Sequence, residues 1–254
     1  MTCQRKNQSI TLLLQSGKVM AQEKTACAFS NYAIRYCKYE DIGTLNPKEA
    51  FLRYVPVGSV EFTRWYCYHV GIELPSLDFT LPGGLNKYCN REIRKGLFGE
   101  AKENDFVKPL HIKLFTGNIK SELDWYVPDD TEVYISQAVP FESEFRFYIQ
   151  DYANKFDIVG WARYDELGVT NPEPDFTLVE DIAGDIHHNL GPSAYSIDIG
   201  WRPDLGCYSL VEINDAWSLG LYENADPQSN PPTRQQYSDM LVSRWTQIQF
   251  CNLV

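Results

Sequence analysis

Three polar residues near the end of the chain have the types and spacing of a divalent-cation site. Strands are predicted over residues 194–201 and 208–214, and Glu212 and Asn214 share one face of the second strand because side chains alternate along it. A turn centred between the two strands sets Asp198 opposite Glu212. Two carboxylates so close repel each other unless a cation neutralises them, and Mg²⁺ prefers carboxylate and amide oxygens. The spacing alone fits equally well with polar residues on a solvent-facing sheet.

Positively charged residues in the middle of the chain could form the complementary half of a phosphate site. Lys108 lies within the apolar sequence Phe-Val-Lys-Pro, where an unpaired ammonium group is costly. Lys113 leads into a short glycine-containing loop that can donate backbone N–H groups to a phosphate. Glu144 and Arg146 share one strand face, and the planar guanidinium suits a phosphate or a carboxylate. Each residue alone could form a structural ion pair, but together with the acidic hairpin they match the needs of Mg·ATP.

The elements that must position these residues begin with a small α/β unit. Apolar runs and helical periodicity in the first 80 residues predict three strands and two helices, which favours a parallel sheet. The strands are predicted at 9–14, 33–39 and 53–60, and the helices at 18–31 and 61–70. A third helix is predicted over residues 85–95. We therefore predict an N-terminal α/β domain over residues 1–95 and a second domain over residues 96–254.

The second domain is predicted to consist of antiparallel sheets. Strands at 132–139 and 144–150 are predicted to pair as a hairpin, and the hairpin with the acidic residues follows later in the chain. Further strands are predicted at 105–109 and 156–164, and helices at 175–184 and 233–250. The last helix has apolar residues at amphipathic spacing. The chain is therefore assigned to the α+β class.

The composition is that of a globular protein and excludes several classes of function. Of the 254 residues, 44% are hydrophobic and 22% are charged, which is incompatible with general disorder. The net charge of −11 argues against nucleic-acid binding, because an acidic surface repels a phosphate backbone. No apolar run reaches the roughly 18 residues of a membrane span, and no signal peptide is expected. The seven cysteines lack C-x-x-C spacing, which predicts reduced thiols in a cytoplasmic protein.

Taken together, these motifs resemble the ATP-grasp superfamily in their order and spacing. The sequence most resembles the divergent Arg/Lys clade, which contains the eukaryotic assembly factor for translation initiation factor 2. Residues 55–62 are similar to a segment of the bacterial and phage members of that clade, and the resemblance extends over roughly residues 10–222. The motifs that carry it are the Lys108-Pro strand, the glycine-containing loop, residues 135–139, Glu144-x-Arg146, Asp198 and Glu212-x-Asn214.

The resemblance implies an ATP-grasp fold, in which antiparallel sheets that follow the N-terminal α/β unit clasp a nucleotide. It also implies a role for each matched residue. Lys108 and Lys113 would contact the ATP phosphates, Arg146 the γ-phosphate, Gln137 and Val139 the adenine, Glu144 the ribose, and Asp198, Glu212 and Asn214 the Mg²⁺ ion. Arg163 is a candidate for an acyl-phosphate site, and it forms the predicted catalytic set with Arg146 and Lys108. The chain departs from the family after Asn214, where Asp-Ala-Trp-Ser-Leu-Gly replaces the frequent Pro and Gly.

The function implied by the resemblance is that of an ATP-dependent carboxylate–amine ligase that acts through an acyl phosphate. The cofactors would be ATP and Mg²⁺, and the substrates would be carboxylates and amines of small molecules, peptides or proteins. Three alternatives stay open: an ATP-binding assembly or interaction module without turnover, a phosphotransferase, and a structural α+β protein with coincidental polar clusters. The sequence predicts neither the identity of the substrates nor the oligomeric state.

Overall fold

Three β-sheets and the helices packed on them make up the described part of the chain. The computed structural model describes residues 10–17, 21–75, 84–110, 115–165, 173–189, 191–222 and 226–253. We call the sheets the N-terminal, middle and C-terminal sheets, in chain order. The helices within these ranges are too short or too polar to traverse a lipid bilayer.

The N-terminal sheet is parallel, as the sequence predicted. Its strands are β1 (Thr11–Gln15), β2 (Ala33–Cys37) and β3 (Tyr54–Val57), in the spatial order β2-β1-β3. The helices of this unit are α1 (Ala21–Ala28), α2 (Pro47–Arg53) and α3 (Val60–Val70). Helix α3 ends at Gly71, whose φ of 76° is a left-handed conformation that glycine adopts without strain. Helix α2 was not predicted, although Asn46 caps it and Pro47 opens it.

The middle sheet is antiparallel and is built from strands that are distant in sequence. It contains β4 (Ile93–Leu97), β5 (Asp105–Pro109), β6 (Asn118–Ile119) and β7 (Glu132–Gln137), in the order β4-β7-β5-β6. Side chains alternate along β5, so that Val107 enters the core of this sheet while Phe106 and Lys108 face the opposite side. The middle sheet therefore presents its lysine on a face that has no core of its own.

The C-terminal sheet is also antiparallel and has two different faces. It contains β8 (Glu144–Tyr152), β9 (Lys155–Arg163), β10 (Ala194–Arg202) and β11 (Cys207–Asp215), in the order β11-β10-β8-β9. Helix α4 (Phe176–His188) packs on one face through an apolar cluster that includes Phe145 and Phe147. The opposite face carries Arg146, and at Tyr148 and Ala194 this face joins the core formed by α5 (Arg234–Cys251) and the N-terminal sheet.

Two elements differ from the sequence-based expectation. The predicted hairpin of residues 132–139 and 144–150 is wrong, because β7 pairs with β4 and β5 in the middle sheet whereas β8 pairs with β9 and β10. Residues 138–143 therefore link two sheets instead of closing a hairpin. The apolar pattern identified both strands correctly but contained no information on their partners.

The predicted helix over residues 85–95 is also wrong. A short 3₁₀ turn, Leu85–Tyr88, is followed by Asn90 in a left-handed conformation with φ 47°, which ends helical geometry. The chain then enters β4, which pairs with β7. The predicted α+β class is confirmed, whereas the proposed domain division at residues 95 and 96 stays a prediction; that position lies within β4.

Candidate active site

A deep cleft of about 1150 Å³ lies between the middle and C-terminal sheets. The linker of residues 138–143 contributes to its wall, and the N-terminal unit contributes Val60 and Arg64 of α3. A volume of this size is at or above the upper end of the range for small-molecule sites. Six of the residues predicted from the sequence line it: Lys108, Gln137, Val139, Glu144, Glu212 and Asn214.

The acidic hairpin has the register that the sequence predicted. Asp198 on β10 lies directly opposite Glu212 on β11, and a bulge follows Asp198 because Ile199 pairs with Leu210. On the other side of β10, Asp198 lies opposite Arg146 of β8. Arg146, Asp198 and Glu212 therefore form one row across three neighbouring strands.

Arg146 and Asp198 form a buried two-point ion pair in this row. Arg146 donates from Nε to Oδ1 at 2.9 Å and from Nη2 to Oδ2 at 2.6 Å. The Asp198 side chain is fully buried and that of Arg146 is 8% exposed. Burial raises the pKa of Asp198 to about 6, although Arg146 opposes the rise. Both groups are therefore predominantly charged near neutral pH and hold each other in place.

Lys108 reaches across the cleft and binds Glu212 of the C-terminal sheet. Its Nζ donates to Oε2 of Glu212, while Nη2 of Arg146 lies 3.7 Å from Oε1. Burial by itself raises the pKa of Glu212, but Lys108, Asn214 and Arg146 together lower it to about 2. Glu212 is therefore a carboxylate at neutral pH, with cations from both sheets around it.

Asn214 bridges the two carboxylates through its amide nitrogen. Its Nδ2 donates to Oδ2 of Asp198 at 3.2 Å and to Oε1 of Glu212 at 3.0 Å. Carboxylate and amide oxygens are the donors that Mg²⁺ accepts, so the residue types fit the predicted ion. Coordination of one ion by Glu212 and Asn214 together requires the amide to turn so that its oxygen, not its nitrogen, faces the carboxylates. Asp198 can coordinate only by exchanging a contact with Arg146 for the ion.

This set differs from a cluster built of acidic residues alone. In the ranges that the structure describes, no group of three or more His, Cys, Asp or Glu side chains is placed to hold a metal ion. The predicted site contributes two carboxylates and one amide. Such a set suits Mg²⁺, which keeps several water molecules and completes its shell with phosphate oxygens.

Two tyrosines that the sequence analysis did not assign to the site pack against Arg146. Tyr164 follows β9 and Tyr222 follows the segment after β11; their rings stack with centroids 4.9 Å apart. The Cζ atom of Arg146 lies 4.8 Å from the Tyr222 ring and 5.6 Å from the Tyr164 ring. Tyr164 also donates its hydroxyl to Oε2 of Glu144 at 2.6 Å. No local pattern marks such a pair, because the two residues are brought together only by the fold.

Arg91 is a second residue that the sequence analysis missed. It precedes β4 and donates to the carbonyl oxygens of Leu210 at 2.8 Å and Val211 at 3.0 Å, next to the bulge in the acidic hairpin. Its Cζ lies 5.6 Å from the ring of Phe141 in the linker. Arg91 thus ties the wall of the cleft beside Gln137 and Val139 to the strand that carries Glu212.

Arg163, which was predicted for an acyl-phosphate site, is not brought together with the other predicted residues. It lies opposite Phe145 on β9, on the face away from Arg146, and its guanidinium donates to Asp165 at 2.8 Å and to Ser143 at 2.8 Å. Lys113 lies outside the described residues. Its neighbours Phe115, Thr116 and Gly117 line the cleft.

The segment after Asn214, where the sequence departs from the expected pattern, forms the far end of the cleft. Trp217 and Ser218 line this end together with Leu74 and Pro75. Asp215 anchors the segment, since it accepts two hydrogen bonds from Arg244 of α5 at 2.7 and 2.6 Å. The position of this wall is therefore determined by contacts with the C-terminal helix.

Comparison with known proteins identifies the fold. The sequence model of one family, described as an ATP-grasp domain and as family 2 of the Arg/Lys clade, matches residues 88–230. No curated protein sequence matches this chain significantly.

Solved structures with low sequence identity share the architecture. D-alanyl-alanine synthetase A from Vibrio cholerae O1 biovar eltor str. N16961 is 13% identical, with a TM-score of 0.50 over 96% of this chain and 99% of that chain. N5-carboxyaminoimidazole synthetase from Staphylococcus aureus is 8% identical, with a TM-score of 0.50 over 92% and 77%. An ADP complex of N5-carboxyaminoimidazole ribonucleotide synthetase is 10% identical, with a TM-score of 0.50 over 94% and 77%. At these identities the likeness shows the fold alone, and the expected ATP-grasp fold is confirmed.

Proposed function

Because this chain belongs to family 2 of the Arg/Lys clade of ATP-grasp domains, we propose that it is an ATP-dependent ligase that joins a carboxylate to an amine. One observation carries the proposal. Lys108 of the middle sheet meets Glu212 of the C-terminal sheet across the cleft, and Arg146 and Asn214 contact the same acidic group. Cations suited to phosphates and oxygens suited to Mg²⁺ therefore converge at one place.

The cleft offers a separate region for each part of the nucleotide. We assign Gln137 and Val139, beside the linker, to the adenine, and Glu144, at the start of β8, to the ribose. Lys108 and Arg146 would bind the phosphates, with Arg146 nearest the γ-phosphate. The assignment is supported by the order of these residues along the cleft, and Lys113 keeps its predicted phosphate role.

Glu212 and Asn214 are the residues that would hold Mg²⁺, with Asp198 behind them. When bound, the ion would neutralise phosphate charge and orient the terminal phosphoryl group. The contributions of the protein itself are positional and electrostatic. Arg146 is held by Asp198, so its charge is preorganised before a substrate enters.

The proposed reaction has two steps. An oxygen of the substrate carboxylate attacks the γ-phosphorus of ATP, the bond to the β-phosphate oxygen breaks, and ADP leaves. The nitrogen of an amine then attacks the acyl carbon, inorganic phosphate departs, and the nitrogen loses a proton. The far end of the cleft, near Trp217 and Ser218, is the proposed place for the carboxylate and the amine, which small molecules, peptides or proteins could supply. The acyl-phosphate role of Arg163 and the cytoplasmic location stay predictions.

The proposal is tested by measuring ADP release from Mg·ATP in the presence of pooled carboxylates and amines. We expect ADP release that requires both substrates and that is lost in Glu212→Gln. The matched control is Glu180→Gln, at an exposed position of α4 away from the cleft.

Each other outcome rejects the ligase proposal in favour of a stated alternative. Thermal stabilisation by Mg·ATP without ADP release indicates a binding module. A stable phosphorylated product that forms without an amine indicates a phosphotransferase. A melting temperature that Mg·ATP leaves unchanged argues against a nucleotide site altogether.

A further inference from the structure

Tyr164 and Tyr222 form a stacked pair that contacts two different parts of the proposed nucleotide site. Their ring planes are 12° apart with centroids at 4.9 Å, which is the geometry of a stacked aromatic pair. The two residues come from different segments: Tyr164 follows β9 directly, and Tyr222 follows the anchored segment after β11. Their contact therefore joins the two ends of the C-terminal sheet behind the cleft.

Tyr222 packs closely against the guanidinium of Arg146. The Cζ atom lies 4.8 Å from its ring centroid, within the range of a cation–π contact. On its other side Arg146 is held by Asp198 at 2.9 and 2.6 Å. The guanidinium is thus fixed between a carboxylate and an aromatic ring, which leaves it little rotational freedom.

The backbone of Tyr222 is held independently of its ring. Its N–H donates to the hydroxyl of Tyr148 at 2.8 Å, and that hydroxyl donates to the carbonyl of Gly220 at 3.2 Å. Replacement of the Tyr222 ring removes the contact with Arg146 but keeps this backbone anchor. The side chain is 37% exposed, so its removal does not open a closed core.

Tyr164 contacts the other half of the site through its hydroxyl. The hydroxyl donates to Oε2 of Glu144 at 2.6 Å, while the backbone N–H of Glu144 donates to Asp165 at 3.1 Å. Hydrogen bonds to a carboxylate are among the stronger ones in proteins, so this contact restricts the Glu144 rotamer. Tyr164 is therefore the residue that orients Glu144 towards the cleft.

We propose that Tyr164 and Tyr222 are positioning residues with separable effects. Tyr164 sets the affinity for the nucleoside through Glu144, and Tyr222 sets the affinity for the terminal phosphate through Arg146. The inference rests on the proposed function, because it uses the assignment of Glu144 to the ribose and of Arg146 to the γ-phosphate. Neither tyrosine touches the nucleotide in the role proposed for it.

The test compares the affinities of adenosine, Mg·ADP and Mg·ATP in calorimetric titrations of the full chain. Tyr164→Phe keeps the stacked ring and removes only the hydroxyl, so we expect all three ligands to bind more weakly by the same factor, about fivefold. Tyr222→Leu removes the ring over Arg146, so we expect Mg·ATP to bind about fivefold more weakly while adenosine and Mg·ADP are unchanged. Tyr222→Phe restores the affinity for Mg·ATP.

Matched controls are Tyr36→Phe and Tyr36→Leu, on strand β2 of the N-terminal sheet, where the side chain is 62% exposed. Melting temperatures show whether each variant is folded, and Tyr222→Met replaces Tyr222→Leu if the latter is not. A wild-type protein that binds no adenine nucleotide rejects the proposed function together with this inference. Nucleotide binding by the wild type combined with an unchanged ratio of Mg·ADP to Mg·ATP affinity in both Tyr222 variants rejects the inference alone. Unchanged affinities in Tyr164→Phe reject it as well.

Discussion

Lys108 and Glu212 are 104 residues apart in the chain, yet they form an ion pair that closes the cleft between two sheets. In this arrangement the ammonium group occupies one side of a carboxylate that is also a predicted magnesium ligand. The lysine and the metal ion therefore compete for Glu212. Binding of a phosphate group would relieve the competition, because the lysine could then turn from the carboxylate to the phosphate.

The first prediction concerns this competition. In Lys108→Met we expect Mg²⁺ alone to bind about tenfold more tightly, because a positive charge next to Glu212 is removed. Mg·ATP should bind more weakly in the same variant, since a phosphate ligand is lost. Calorimetric titration with MgCl₂ and then with Mg·ATP measures both effects. Lys102→Met, at an exposed position before β5, is the control, and a parallel loss of both affinities would contradict the competition.

The second prediction concerns the buried pair of Arg146 and Asp198. Asp198→Ala leaves a buried guanidinium without its main partner, so the free energy of unfolding should fall by about 3–5 kcal/mol in urea denaturation. In the double variant Arg146→Met with Asp198→Ala, the loss should be smaller than the sum of the single losses. The control Asp157→Ala, whose partner Lys155 is 60% exposed, should change stability by about 1 kcal/mol or less. Additive losses in the double variant would show that the two residues act independently.

The third prediction concerns thiol reactivity and pH. Burial raises the pKa of Cys27 to about 12 and that of Cys67 to about 12, whereas Cys251 is exposed. At pH 8, iodoacetamide should therefore modify Cys251 in the folded protein and should reach Cys27 and Cys67 only after denaturation. Peptide mass mapping measures the sites of modification. Rapid labelling of Cys27 under native conditions would contradict the buried environment.

The same pKa shifts predict how stability depends on alkaline pH. The folded-state pKa lies above the unfolded value of 9.0, so the unfolded chain releases protons first as the pH rises. The stabilisation is therefore complete below pH 9 and is lost between about pH 9 and pH 12. Urea midpoints at pH 8 and pH 10 check the direction, and Cys27→Ala should show a smaller decrease than the wild type.

The fourth prediction compares two glycines. A Cβ atom at Gly160 of β9 would lie 2.3 Å from the backbone nitrogen of Pro232, and backbone cannot move aside as a flexible side chain does. Gly160→Ala should therefore lower the free energy of unfolding by about 1–3 kcal/mol or more. Gly184 lies within α4 with nothing within 4 Å of its Cβ position, so Gly184→Ala should raise stability by about 0.5–1 kcal/mol. Equal effects of the two substitutions would contradict the close approach at Gly160.

Local patterns correctly predicted much of the C-terminal sheet. The alternation in β8 placed Glu144 and Arg146 on one face, and the length of the hairpin placed Asp198 opposite Glu212. Both inferences depend on geometry within a few residues, namely the two-residue period of a strand and the connection of two strands by a short turn. The same kind of argument predicted the apolar face of α5.

Local patterns failed where strands had to choose distant partners. Residues 132–137 and 144–150 are both strands, but their proximity in sequence suggested a hairpin that the fold does not contain. The helix expected at 85–95 was also replaced by a turn and a strand. In each case the pairing with a remote strand, which buries apolar surface, outweighed the local preference.

The sequence by itself determined which side chains share a strand face and which carboxylates lie opposite each other in the last hairpin, because covalent geometry and side-chain alternation act over short distances. Only the tertiary structure decided that Lys108 meets Glu212, that Tyr164 stacks on Tyr222, and that residues 138–143 join two sheets. These contacts depend on how the apolar faces of whole sheets and helices are buried against one another, which is a property of the entire chain and not of any local segment.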